Sequence, residues 1–512
     1  MRTEFRIAPI AFLAALTAGG SSVAPHARFF VFNYENVLGT SLEVKIEARS
    51  LAVAEGGDAA ARREIERQAK ILSAWDSGSE FSRWFATSGE PVRVSPELFE
   101  TLRLFDQWKE RTHGALDAAA ETVVRAWKAA ERQGRPPSGA ELDAAVELAR
   151  GPHWTLDPVS RTATHLDYAP IALNSFAKSY IAGYAADAAL AMRGVTSVVV
   201  NIGGDLVIRG PRAEPVDVAD PRCDAENCAP LAQVEIRDQA IATSGNYRRG
   251  VDIGGRHYSH IVDPRTGRTA EAMASSTVVA RNPADAGAMA TAFSVLTPAE
   301  SAQVAALLPG VEYLLVTSAG ERIASAGWSK LAMRVPPIRA QAAWLPAAFV
   351  AAAAAPDVWD ASMELTISFE LAQLGGYARR PYLAIWVEDA EKKPVRTIGL
   401  WYNKDRYLPE MRAWYRIAPA SQPGDAYSIA HSIASATRPP GKYTLDWDGK
   451  DNAGKLVAAG KYMVFIEAAR EHGTYQLMRQ EMDFSGAPAK VDLKGNTEIA
   501  EATLEYHRIG IR

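Results

Sequence analysis

At 512 residues, with 48% hydrophobic and 23% charged, the chain reads as a folded protein too long for one ordinary core, so two or three domains are expected. A net charge of −4 argues against a nucleic-acid partner, which needs a basic face. No run of about 20 uninterrupted apolar residues marks a permanent span in the mature chain.

Residues 1–27 have the layout of an export signal. Arg2 and Arg6 precede an apolar run from Ile7 to Ala18 and then small residues, with Ala24 or Ala27 as end points. A disordered tail beside a buried helix is the plainer alternative, and an uncleaved signal would leave an anchor. Residues 30–335 then alternate helical and strand patterns. A strand pair begins within 35–48, where Leu42, Val44 and Ile46 alternate. Residues 59–75 have helical periodicity through Ile65, Ala69 and Leu72. Residues 95–114 open on Ser-Pro-Glu and stop at Gly114, as a helix does. Residues 197–210 are two β-rich runs broken by Gly203-Gly204.

Cys223 and Cys228, the only cysteines, have a spacing that fits a small loop disulfide, with two unpaired thiols as the alternative. "NPADAGAMATAF", 282–293, reads as a helix with Asp285 near its start and Thr291 further on. Asp285 as helix N-cap is the simpler reading of that carboxylate. Residues 336–357 are a Pro- and Ala-rich linker, in which Arg339 before an apolar run has the look of a relic export signal. From 358 to 512 β-patterns dominate. "DGKDNAGK", between "YTLDW" and "KYMVFIE", signals a hairpin, and "AEATLEYHRI" a last strand. Short strands at this spacing suggest an all-β immunoglobulin-like sandwich behind an α+β first domain.

Eight blocks in order carry a resemblance: "VLGTSLEV", "LSAWDSGSEFSR", "THGALD", "LNSFAKSYIAGYAAD", "VVVNIGGDL", "ATSGNYRRG", "YSHIVDPRTGR" and "AGAMATAFSVL". Together, over about 35–330, they resemble the FAD:protein FMN transferases, the ApbE family. The C-terminal part resembles a periplasmic domain of unknown function that accompanies flavin and PepSY systems. The first resemblance implies an α+β flavin-transferase fold in an exported, Mg²⁺-dependent enzyme. Such an enzyme cleaves FAD at its pyrophosphate and attaches FMN to a Thr or Ser of a partner protein, here a periplasmic or membrane-associated redox protein.

The resemblance also implies roles for particular residues. His260 handles the proton at the phosphate end, with a structural histidine as the alternative. Trp75, Asp117, Lys178, Gly203, Gly204, Asp205, Ser244, Tyr247 and Arg265 contact the flavin nucleotide. All but Ser244 and Tyr247 also have a plainer reading as core, turn or surface residue. The family's magnesium lies between an Asp and a Thr one turn apart on a helix, joined by an Ala carbonyl. Thr291 and Ala177 match two of these, but Gly287 stands at the Asp position, leaving Asp285 as a displaced substitute. Ala172 replaces an acidic residue, and Asn174, Ser175 and Ser179 replace glycines.

Two alternatives to transfer follow from these departures: a catalytically impaired FAD-binding or partner-binding paralogue, and an FAD pyrophosphatase in which water replaces the acceptor hydroxyl. The C-terminal part shows no catalytic constellation. His472 reads as a strand-end packing residue, and Ser485 sits in an imperfect acceptor motif that is best taken as coincidence.

Overall fold

The computed structural model describes residues 27–333 and 358–509, apart from 224, 226, 229, 247–248, 374–379, 403–404, 418–433, 436 and 471–472. The signal segment up to residue 26, the 336–357 linker, Tyr247 and His472 fall outside the described residues.

The N-terminal part is organised by one eight-stranded antiparallel sheet whose spatial order follows the chain. Its strands are β1 (Arg28–Val37), β2 (Thr40–Ala48), β3 (Val195–Ile202), β4 (Asp205–Arg209), β5 (Ala240–Gly245), β6 (Met273–Ala280), β7 (Glu312–Thr317) and β8 (Arg322–Ala324). The expected strand pair is there, but β1 begins at Arg28 and turns through Leu38 and Gly39, both with positive φ. Leu42, Val44 and Ile46 of β2 are fully buried, as their alternation requires.

Between β2 and β3 the chain leaves the sheet to build most of the helices. Helix α1 (Leu51–Leu72) starts eight residues before the periodic stretch, because Ser50 caps it and Gly57 lets it approach the sheet. A Cβ at Gly57 would lie 3.2 Å from Val195 and 3.3 Å from Ile46. Helix α2 (Pro96–Arg111) is capped by Ser95, whose hydroxyl accepts from the Leu98 amide at 3.2 Å.

Helix α4 (Pro283–Phe293) is almost wholly buried and α3 (Ala177–Leu190) buried along one face, and both pack with α1 in the same core as one face of the sheet. They lie against each other through small residues. A Cβ on Gly183 would sit 2.9 Å from Pro283 Cγ, and one on Gly287 would sit 2.4 Å from Ser179 Oγ. Ser179 and Gly183 are four apart on α3, and Pro283 and Gly287 four apart on α4. The two helices therefore run antiparallel along one seam. Val199, Ile208, Val279 and Leu314 form a second, smaller core with the hairpin Glu214–Val218/Ala232–Ile236.

Cys223 and Cys228 are disulfide-bonded, with Cα atoms 6.3 Å apart. Among the described residues no helix is long and apolar enough to cross a membrane.

The C-terminal part is β-rich. One sheet orders Gly441–Trp447, Met363–Leu371, Ile499–Arg508 and Ala489–Lys494; the other orders Ala434–Ser435, Pro394–Trp401, Tyr382–Glu388, Lys461–Ala469 and Tyr475–Asp483. Both contribute to one core in which Trp359, Trp447, Phe484 and Tyr506 meet. The expected last strand forms, but the expected hairpin does not. "YTLDW" and "KYMVFIE" lie in different sheets, and the intervening loop closes on itself through a Lys450–Leu456 bridge and Asp451, which accepts from the Ala453 and Lys455 amides. Asp, Gly and Asn there make a loop between sheets rather than a two-residue turn.

Candidate functional site

Four segments distant in sequence meet at one end of the large sheet. The β3–β4 turn brings in Gly203 and Gly204, both with positive φ (61° and 98°). Gly203 is required by crowding, since its Cβ would lie 2.5 Å from Thr40 Oγ1; at Gly204 nothing stands within 4 Å of an added Cβ, while its amide donates to Asn201 Oδ1 at 3.0 Å. Asp205, at the start of β4, is buried and accepts from the Ser179 hydroxyl at 2.8 Å, with Lys178 Nζ at 3.7 Å. Burial pushes the Asp205 carboxyl up, opposed by the Lys178 charge, the Ser179 hydrogen bond and Arg249. Ser244, near the end of β5, faces α4, its Oγ 3.5 Å from Thr291 Oγ1. Thr291 in turn donates to the Ser175 carbonyl at 2.9 Å, two residues before Ala177.

His260 follows the hairpin Gly250–Ile253/Arg256–Ser259. Its backbone amide and Nδ1 both lie within hydrogen-bond distance of the Arg249 carbonyl, at 3.1 and 3.0 Å. With Nδ1 as the donor, Nε2 is left as the basic nitrogen. Desolvation first, and then the charges of Arg249, Lys178 and His257, hold this histidine below its ordinary range, with the Arg249 carbonyl pulling the other way. Arg249 is the residue that sequence reasoning passed over. Its carbonyl orients His260 and its charge reaches Asp205, yet within "GNYRRG" no pattern separates it from its neighbour Arg248.

Other expected contacts have different surroundings. Arg265 is held by Asp263 through two ion-pair hydrogen bonds of 2.9 Å, so its guanidinium has a fixed partner in the turn. Asp117 is buried rather than solvated, paired to Lys109 at 2.7 Å and accepting from the Ala119 amide. Trp75 is 83% exposed in the turn after α1, which corrects the core reading and leaves its ring free to stack. A surface cleft of about 430 Å³ lies one turn along the α3–α4 pair, beside Gly183 and Pro283, and includes none of the expected site residues.

Asp285 corrects another expectation. The N-cap of α4 is Asn282, whose side chain accepts from the Ala284 and Asp285 amides; Asp285 itself lies within the first turn. The physical reason is Pro283, which suits the first helical position and sets the cap at Asn282, three residues before Asp285. The Asp285 carboxyl, pushed up by burial, faces Arg111 and Trp108 of α2. It is thus oriented away from Thr291.

The residues present do not fit the magnesium ion that the resemblance implies. Thr291 Oγ1 is tied to Ser175, Asp285 faces α2, and the position one turn before Thr291 is a glycine packed on Ser179. Among the described residues no three His, Cys, Asp or Glu side chains cluster to hold a metal.

Comparison with known proteins agrees with this architecture. Residues 38–315 match the ApbE family, and residues 364–501 match a family described as a predicted periplasmic protein (DUF2271). The FAD:protein FMN transferase of Klebsiella pneumoniae is 28% identical over 294 residues, covering 56% of this chain and 83% of that protein. The Escherichia coli K12 protein of the same name is 27% identical over 268 residues, 50% of this chain and 76% of its own. The crystal structure of the ApbE protein of Thermotoga maritima shares the fold, with a TM-score of 0.53 at 24% identity over 59% of this chain and 99% of that one. With more than half of its length matched to the family model, the chain belongs to the ApbE family.

Proposed function

We propose that the chain transfers the FMN portion of FAD to a Thr or Ser hydroxyl of an acceptor protein outside the cytoplasm. The observation that carries this reading is the convergence of Lys178, Asp205, Ser244, Thr291 and the Gly204 backbone at one sheet end. Lys178 and Arg249 supply positive charge for a diphosphate, and Gly204 allows close backbone approach. The acceptor hydroxyl attacks the FMN phosphorus, the bond to AMP breaks, and the hydroxyl proton passes to Nε2 of His260. The bond between Nδ1 and the Arg249 carbonyl supports that role by fixing the tautomer.

A second reading, an FAD-retaining protein without transfer, is favoured by Gly287 at the metal-carboxylate position. Incubating the full chain with FAD, Mg²⁺ and a peptide bearing an Asp-x-x-Thr-Gly-Ala-Thr acceptor motif separates them. Covalent flavin fluorescence on the peptide supports transfer. Free FMN alone supports pyrophosphatase action, and retained FAD with neither product supports the second reading.

Export, and action on a periplasmic or membrane-associated redox partner, are supported by the match of residues 364–501 to a predicted periplasmic family. The shared core of the two C-terminal sheets supports an immunoglobulin-like sandwich there.

A further inference from the structure

The position that would present a metal-binding carboxylate one turn before Thr291 is not a gap. A Cβ on Gly287 would meet Ser179 Oγ at 2.4 Å, Ser179 Cβ at 3.0 Å and Phe176 Cβ at 3.2 Å. Real Cβ atoms do not approach an atom as closely as 2.4 Å, so a side chain at 287 requires the Ser179 hydroxyl to turn away and the Cβ atoms of Ser179 and Phe176 to give by a few tenths of an ångström. Ser179 resists displacement. It is buried, and its hydroxyl donates to the buried Asp205 carboxylate at 2.8 Å, so turning it away strands that group. The helices have no slack at the next turn either, where Gly183 faces Pro283 Cγ at 2.9 Å for an added Cβ.

We propose that Ser179 and Gly287 are a coupled pair that has closed the carboxylate position, so that this chain holds a flavin diphosphate by the charges of Lys178 and Arg249 without a helix-bound divalent cation. The identity of the pair sets cation affinity, and neither residue changes it alone. The diphosphate half of this statement rests on the flavin-site reading above; the cation half does not.

Mn²⁺ binding to the full chain, followed by electron paramagnetic resonance without flavin, tests the pair alongside thermal unfolding. Wild type is expected to show no saturable site below roughly millimolar Mn²⁺. G287D lowers the melting temperature with no gain in binding, and S179G alone gains none. S179G/G287D loses less melting temperature relative to S179G than G287D loses relative to wild type, and it binds Mn²⁺ at least roughly tenfold more tightly than wild type. Micromolar binding by wild type overturns the proposal, as does a gain in G287D equal to that of the double variant. S179G/G287A checks the steric half without a new ligand: G287A must cost less stability on the S179G background than on wild type, and an unimpaired G287A overturns the coupling. FAD binding, measured separately by flavin fluorescence quenching, decides the flavin reading: its absence sinks that reading and leaves the Mn²⁺ result standing.

Discussion

The hydroxyl of Thr291 donates to the Ser175 carbonyl at 2.9 Å, joining the last turns of α4 to the loop that enters α3. The bond satisfies a backbone acceptor that precedes the helix. Thr291→Val keeps the shape and removes the donor, so it should cost about 1 kcal/mol of stability in denaturant titration. It should also reduce flavin transfer to the acceptor peptide. Unchanged transfer would remove Thr291 from the site.

One turn along the same seam, Gly183→Ala adds a methyl where Pro283 Cγ stands 2.9 Å away. Proline cannot rotate aside, so overpacking should cost about 1–3 kcal/mol, read as a lower denaturant midpoint with an unchanged slope. A neutral Gly183→Ala would mean the two helices separate more readily than their packing implies.

His260 is less basic in the folded protein than in the unfolded chain, chiefly by desolvation and then by Arg249 and Lys178. The native state therefore binds fewer protons than the unfolded one as pH falls through the ordinary value of about 6.5, and stability declines there. His260→Gln should flatten that part of the stability–pH curve. Flavin transfer by wild type should hold its rate down to about that pH before an acid limb sets in, because the neutral ring is the working form. A wild-type acid limb beginning well above it would contradict the lowered basicity.

Asp205 is the opposite case, a buried carboxyl raised by desolvation and restrained by Lys178. Removing the cation by Lys178→Met raises it further. A folded pKa above the unfolded one favours the native state at low pH and loses that advantage as pH rises. Lys178→Met should thus be more damaging at pH 8 than at pH 5 in urea titrations. A loss independent of pH would mean the carboxyl is not coupled to Lys178.

The sequence carried the large features where one residue type has one physical use. Alternating Leu42, Val44 and Ile46 marked β2, Ser95-Pro96 marked the start of α2, and Gly203-Gly204 marked the β3–β4 turn. It was less legible where tertiary packing decides. Gly56 and Gly57 disguised the first turns of α1, because a glycine needed for close approach to Ile46 looks like a helix breaker. The Asp-Gly-Asn cluster after Trp447 looked like a hairpin, since sequence does not say that the flanking strands belong to separate sheets. At the site, the Ser179 and Gly287 departures were each visible, whereas their contact, and the Arg249 carbonyl under His260, exist only once the chain is folded.

The antiparallel seam of α3 and α4 also constrains ancestry. An acidic residue at 287 and a hydroxyl at 179 exclude each other in one protein, so lineages crossing between the two states must pass through a less stable or a cavity-bearing ancestor. Such crossings should be infrequent and, once made, slow to revert. Across homologues the two columns should covary as a pair, splitting them into two camps with few mixed members.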